Sequence, residues 1–558
     1  MSTLSFTGER QVRFPAPDVA RGFMLALIAL ANVPFWVSFF PAHPRAGFAA
    51  LDAMTSADQW WFLVRAMFVD RRAYPLFSIL FGFGMVIMAR RTIERERRAA
   101  LDPLPRELSD GWNPVQWQIF NEAVEARARR AASRLIRRRG WWMIGIGAVH
   151  SLVFSGDIIG AYGLVAVACA ELIVMRRSWP RVVVGVCIAA LSLLSLGAMA
   201  EAMGAGLMNL EYHGPSALTG TYPLTSFGSW IASTIMTPLT SLVVPCVMIG
   251  VGVARWGALQ DPRGHRGALC AIAGVGLLVG ALGASPYALG QLDWAQVWSA
   301  GGAFALYHAT GVAGACGWLA LLALVGGGPR EASAQVGEGP GQDLGAVRSF
   351  LSAIGRRSMT AYLSQTLLFV VVFLTLGLIG VESVGVAVSA LIALGVWVVI
   401  GIGCVVSDVM GAARGPAERL LRWLVARSAS TLPLPALPPA PMGPWVPMPP
   451  AGAGMPGVPL ASGAPFAPGA PSVAGAPSVA GAPIPANVGA VSNVTGAPMP
   501  SHAPGVPGAP LPQSVGAASN VPAASNGAAT PAAPGDPGTK WMPPAAAQAD
   551  VREADSAP

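Results

Sequence analysis

His150 and Asp157 lie seven residues apart in the apolar run Gly147–Gly163, "GAVHSLVFSGDIIGAYG". An imidazole is a base or nucleophile near neutral pH, and a carboxylate can fix its tautomer. Ionisable groups at membrane depth are costly, so they mark candidate functional sites. On a continuous helix, seven residues rise about 10 Å, too far for a direct hydrogen bond. Gly156 offers a break that would let Asp157 fold back. The pair then reads as a catalytic dyad, an ion or proton relay, or a polar contact between helices.

A second group opens the first apolar run. Asp18 and Arg21 stand at i, i+3, where they pair on one helix face, and Arg13 precedes them. They read as a structural ion pair or as a contact for substrate or donor. Asn32, deeper in the same run, is a candidate substrate contact or interhelical hydrogen-bonder. His308 reads as a packing histidine. The six cysteines show no CxxC or Cys/His spacing, so no metal site is expected.

The elements that must carry these residues follow from composition. The chain is 53% hydrophobic and 11% charged over 558 residues, where a soluble protein would hold about a quarter charged residues. Apolar runs of about 20 residues recur, the length that crosses a hydrocarbon core. The expected fold is all-α: a polytopic membrane helix bundle of about ten spans, near 20–40, 73–89, 140–156, 158–175, 181–203, 229–254, 268–289, 299–326, 358–380 and 383–407. Gln59–Val69 is short and tryptophan-rich and is expected at the interface.

Arginine placement orients the bundle. The loop 90–139, Met175–Arg181, Arg255–Arg266, Arg356–Arg357 and the segment after the last span are rich in arginine, whereas Glu211–Ser226, Gly290–Gln296 and Gly380–Ser383 have none. Ten spans put every arginine-rich segment on one side, which the positive-inside rule makes cytoplasmic, with both termini inside. This explains the net charge of +8 without a nucleic-acid partner. In the loop 90–139, Asn113 and Pro114 signal a helix start. Trp117, Phe120, Val124, Ala131 and Leu135 then recur at helical spacing, with arginines crowding the end. This predicts an amphipathic helix on anionic lipid. Residues 428–558 are Pro/Ala/Gly-rich and are expected to be a disordered cytoplasmic tail. The divisions are thus 1–19 (N-terminus), 20–89 (spans 1–2), 90–139 (basic loop), 140–254 (spans 3–6), 255–427 (spans 7–10) and 428–558.

Six segments in order resemble the YeiB-like family of bacterial inner-membrane proteins. They are "VRFPAPDVARGFMLALIALANVPFW" (Val12–Trp36), "LFSILFGFGMVIMARR" (Leu76–Arg91), the stretch around His150 with "RRRGWW" before it, "VMIGVGVARWGAL" (Val247–Leu259), "IGRRSMTAYLSQTLL" (Ile354–Leu368) and "GPAERLLRWL" (Gly415–Leu424). The C-terminal half of that family is catalogued as a domain of unknown function, number 418. Family members usually carry Leu-Asp where Pro17-Asp18 stands, and Asn where Ala361 stands. The family is more distantly similar to transmembrane acyltransferases.

That resemblance implies a multi-pass protein of the bacterial plasma membrane that moves an acyl group from a cytoplasmic CoA-type donor to an envelope glycan or lipid. His150 and Asp157 would be catalytic, and Arg13, Asp18, Arg21 and Asn32 would bind substrate. No bound cofactor is implied, acyl-CoA being a donor substrate. A small-molecule transporter or efflux component is the alternative, and a homo-oligomer stays open.

Overall fold

In the computed structural model, residues 15–36, 54–102, 104, 112–204, 220–295, 298–327, 345–381, 384–430, 432, 433 and 435 are described. Among them every regular element is an α-helix. The helices are α1 (Pro15–Trp36), α2 (Ser56–Phe68), α3 (Ala73–Leu101), α4 (Pro114–His150), α5 (Ile159–Val174), α6 (Trp179–Gly204), α7 (Tyr222–Thr240), α8 (Val243–Trp256), α9 (Arg266–Gln291), α10 (Ala300–Gly326), α11 (Ala346–Arg356), α12 (Ser358–Leu378), α13 (Val386–Val409) and α14 (Pro416–Arg427). The expected tail lies almost wholly outside the described residues.

Seven of the helical segments are long and apolar enough to cross a membrane, with α2 and α3 together forming one of them. The α7–α8 pair, bent by 58°, makes an eighth if it is a single span. This is an all-helical membrane-protein architecture, with fewer spans than the ten expected. The difference lies mainly in residues 140–175. The α4 segment beyond its last arginine, residues 140–150, rises only about 16 Å. α5 has 16 residues, short of the roughly 20 that a crossing needs. Spans three and four of the expectation are therefore the two arms of one short hairpin. The segment expected at the interface, 59–69, is helical and lies mostly in α2, which runs with α3 in one candidate segment of 46 residues.

α1 is the hub. Its apolar window is 67% buried, against 11% for α6, so α1 is packed by protein while α6 forms the periphery. α1 and α11 approach backbone to backbone, because Gly22 faces the Leu351 carbonyl and Gly355 faces the Asp18 carbonyl with no room for a Cβ at either position.

The basic loop is largely helical. α4 is one helix of 37 residues, opened by an Asn113–Gln116 capping box with Pro114 in its first turn. Its apolar stripe, Phe120 and Val124, packs with Ala100 of α3. The segment expected to lie on lipid is thus the stem of the helix that carries His150. Arg127 pairs with Glu96 at 2.7 Å, and Arg97 and Arg129 both pair with Glu125.

Burial raises the Glu125 carboxyl, but hydrogen bonds from Arg129 and Arg97 outweigh it and hold the pKa below its ordinary value of 4.5. A depressed carboxylate stabilises the fold above its unfolded pKa, and that contribution disappears as pH falls through the folded pKa. We expect the α3–α4 stem to gain amide-exchange rate below pH 4.5, and Glu125→Gln to show that faster exchange already at neutral pH. Hydrogen exchange across residues 94–130 measures both.

Candidate functional site

The hairpin tip builds the site. α4 ends at His150, and Ser151–Ile158 turn the chain back into α5. The turn is closed by Phe154 N–H to the His150 carbonyl and Asp157 N–H to the Phe154 carbonyl, both 3.1 Å. Asp157 stands three residues before Gly160 and accepts its N–H through Oδ2 at 2.9 Å, in the manner of a helix N-cap. Close approach of the arms is possible because glycines face each other. A Cβ on Gly147 would sit 2.6 Å from both Asp157 Oδ2 and Gly160 N, and Gly140 and Gly163 face each other in the same way.

The result brings the two predicted residues together. His150 Nδ1 lies 2.7 Å from Asp157 Oδ1. The chain folds back because the helix stops at His150 itself, six residues before Gly156. Trp230 of α7 donates its indole N–H to Asp157 Oδ2 at 3.2 Å. With Asp157 accepting from Trp230 and Gly160, the arrangement suits Nδ1 as the donor to Oδ1, which in the neutral ring leaves the lone pair on Nε2. That lone pair faces the Thr366 hydroxyl of α12, 2.9 Å away. A hydroxyl, an imidazole and a carboxylate thus form one chain.

The site is enclosed. The His150 and Asp157 side chains are 8% and 0% exposed. Tyr362 and Phe154 rings flank the imidazole at 5.4 and 5.8 Å. Trp36 of α1 stacks on Phe154 at 4.9 Å. α7 fastens the tip: the Tyr222 hydroxyl donates to the Val153 carbonyl at 2.9 Å, and Ser226 to the Ser151 carbonyl at 2.6 Å. From Arg139 to His150 the helix rises about 16 Å, half the thickness of a hydrocarbon core.

Thr366 and Trp230 carry no isolated sequence signal. Thr366 is 216 residues from its partner. The hint was the polar cluster from Tyr362 to Thr366 within an otherwise apolar span.

The second predicted group lies elsewhere. Asp18 and Arg21 pair at 3.3 Å near the start of α1. The next fixed point is Trp36, which reaches the hairpin tip 15 residues later, about 22 Å along the helix. Asn32 is half-buried between them and makes no hydrogen bond among the described residues. Arg13 lies outside the described residues. Arg21 reaches Gly84 of α3, where a Cβ would sit 3.2 Å from its Nη2. Arg139 and Arg422 join it from α4 and α14. Burial, then the positive charges of Arg422 and Arg21, lower the Arg139 pKa to about 10, which leaves it charged at neutral pH. Among the described residues no three metal-ligating side chains converge. The groups available for an anionic cofactor at this end are these arginines.

Fold and site together define a multi-pass helical membrane protein with a hydroxyl–imidazole–carboxylate chain enclosed between a short hairpin and its neighbouring helices. Residues 253–428 match the family model described as "Protein of unknown function (DUF418)". The match takes in α9–α14 and Thr366, and ends short of the hairpin that carries His150. No curated protein and no solved structure matches the chain.

Proposed function

We propose that this protein is a membrane acyltransferase in the bacterial plasma membrane, with its arginine-rich end in the cytoplasm. The carrying observation is the chain from Thr366 through His150 to Asp157. Such a chain withdraws a proton from a hydroxyl as that hydroxyl attacks a carbonyl, and returns it to the leaving group. Here the leaving group is the thiolate of a CoA-type donor. The attacking oxygen belongs to Thr366 or to an acceptor alcohol that takes its place against Nε2. Asp157 holds the imidazole tautomer, and Trp230 and Gly160 hold Asp157. Arg21, with Arg139 and Arg422, offers positive charge for donor phosphates on the cytoplasmic side. Asp18 orients Arg21, and Asn32 extends this candidate binding path. Substrate access requires the tip Ser151–Ile158 to move, since the imidazole is covered at rest.

The test is transfer of labelled acetyl from acetyl-CoA to envelope glycan or lipid in inverted vesicles, with and without His150→Ala. Orientation is tested separately. The exposed Glu122 on the α4 stem, replaced by cysteine in a background lacking the native cysteines, is expected to react with a membrane-impermeant maleimide in inverted vesicles and not in intact spheroplasts. The reverse pattern would turn the bundle over.

A small-molecule transporter is the second reading. It is favoured by the 58° bend between α7 and α8 and by the interruption between Phe68 and Ala73, since discontinuous helices line substrate paths in secondary transporters. Proton-driven uptake by the purified protein in liposomes, with no acyl transfer, would select it.

A further inference from the structure

The broken span α2–α3 carries charge that neither the His150 site nor the arginine-rich end uses. α2 ends at Phe68 and α3 begins at Ala73. The four residues between them include Asp70, Arg71 and Arg72. Arg72 lies 18 residues before Arg90, about 27 Å along α3, and Trp60 lies about 12 Å the other way along α2 from its end at Phe68. Trp60 meets Trp294 at 5.2 Å, as in an interfacial aromatic belt. The break therefore lies between Arg90 and this tryptophan pair, toward the far edge of a hydrocarbon core about 30 Å thick, where unwound backbone and charge are tolerated when packed by protein.

Each group at the break has a distinct state. Arg72 is wholly buried and spent on carbonyls: it donates to Ala66 O and Asp70 O at 2.7 Å each, and to Gly280 O. Arg65 pairs through Nε with Asp70 at 2.9 Å. It is 6% exposed, yet its Nη1 is buried with no hydrogen-bond partner. Arg71 is exposed and makes no hydrogen bond or ion pair among the described residues; its guanidinium lies 5.8 Å from the Phe304 ring centre. Its φ is +58°, a left-handed conformation that costs a non-glycine residue and clusters at functional sites. His308 of α10 is 3% exposed. It gives Nδ1–H to the Phe304 carbonyl at 2.9 Å, so Nε2 is left without a partner among the described residues. Its ring lies 4.4 Å from that of Phe304, the ring that Arg71 also approaches. α3 opens on this spot without a side-chain cap; the Arg72 and Ala73 N–H groups are taken by the Val69 carbonyl and Pro75 has none, so the helix dipole, not an amide cradle, favours an anion here.

Three guanidiniums meet one carboxylate, which leaves two positive charges uncompensated. A doubly charged oxyanion matches that count, and a hydrogen phosphate offers oxygens to the Arg71 and Arg65 guanidiniums and its own O–H to the Nε2 lone pair of His308. We propose that the α2–α3 break is a binding site for a phosphate-bearing ligand, held by Arg71, the buried Arg65 and His308 beside the N-terminus of α3. The site goes beyond the acyl-transfer reading and stands without it.

The experiment uses the full chain, purified and placed in nanodiscs of phosphatidylcholine. One arm titrates inorganic phosphate and follows bound label by equilibrium dialysis. The second arm adds phosphatidic acid, a phosphomonoester lipid, to the nanodisc and follows its retention by native mass spectrometry. Saturable binding in either arm is expected, and the arm that shows it identifies a soluble or a lipid source. Arg71→Gln and Arg71→Gly are each expected to weaken it about tenfold or more, the loss of a charge-assisted hydrogen bond. Arg71→Gly separates folding from binding, because glycine accepts φ +58° without strain. It should melt no lower than wild type in the absence of phosphate. Binding unchanged in a well-folded Arg71→Gly would overturn the site. So would a wild-type protein that binds neither probe, whatever the variants do.

Discussion

His150→Ala is expected to remove acyl transfer by about a thousandfold or more, the contribution of a positioned general base. Among the described residues the imidazole is the sole link between the Thr366 hydroxyl and the Asp157 carboxylate, and it is the base placed to take the proton. Asp157→Asn should be nearly as damaging, by about a hundredfold to ten-thousandfold. An amide can donate to Nδ1 and so selects the other tautomer, with the proton on Nε2 facing Thr366. Thr366→Val distinguishes the two mechanisms. A loss equal to that of His150→Ala assigns the attacking oxygen to Thr366. Retained transfer makes Thr366 a placeholder for the acceptor hydroxyl. Initial rates in inverted vesicles, at matched protein level and melting temperature, decide all three. Full activity in His150→Ala would end the mechanism.

Gly355→Leu is expected to have the largest effect on stability. Gly355 faces the Asp18 carbonyl and Gly22 faces the Leu351 carbonyl, so α1 and α11 meet backbone to backbone. A Leu side chain at Gly355 has no flexible neighbour to push aside. It must separate the hub helix from α11, at a cost of at least about 3 kcal/mol by the measure of overpacked cores. Because α1 also packs on α3, α10, α12 and α13, the damage spreads. The protein should melt many degrees lower in detergent, or fail to accumulate. A control on the same helix, Val347→Leu at an exposed site, should melt as wild type. Equal melting of Gly355→Leu and wild type would show that the two helices are free to separate.

Much of the helix inventory was legible in the sequence. Long apolar runs have one low-cost arrangement in lipid, because every backbone group must find its hydrogen bond within the segment. The runs at α1, α6, α9, α10, α12 and α13 therefore stand close to their expected places. Asn113 and Pro114 started α4 for a local reason, the cap. The count failed at residues 140–175, where apolar character continues but the chain turns back early. Hydropathy measures transfer from water and is blind to where a buried turn falls.

For the site, the sequence supplied two of the four main members. His150 and Asp157 stand out because ionisable groups are rare in such runs. Thr366 and Trp230 do not, because a hydroxyl or an indole inside a span is ordinary. Likewise Asp70, Arg71 and Arg72 read as a charged turn between apolar segments, and His308 as packing. By itself the sequence determined that this chain is a set of long apolar helices separated by arginine-rich segments, since both properties depend on local composition. Only the tertiary structure decided that His150 bonds Asp157 and Thr366, and that Arg71 stands beside His308. Hydrogen bonds and charge pairs act over a few ångströms, and which residues come that close is settled by glycine contacts and helix packing between segments distant in the chain.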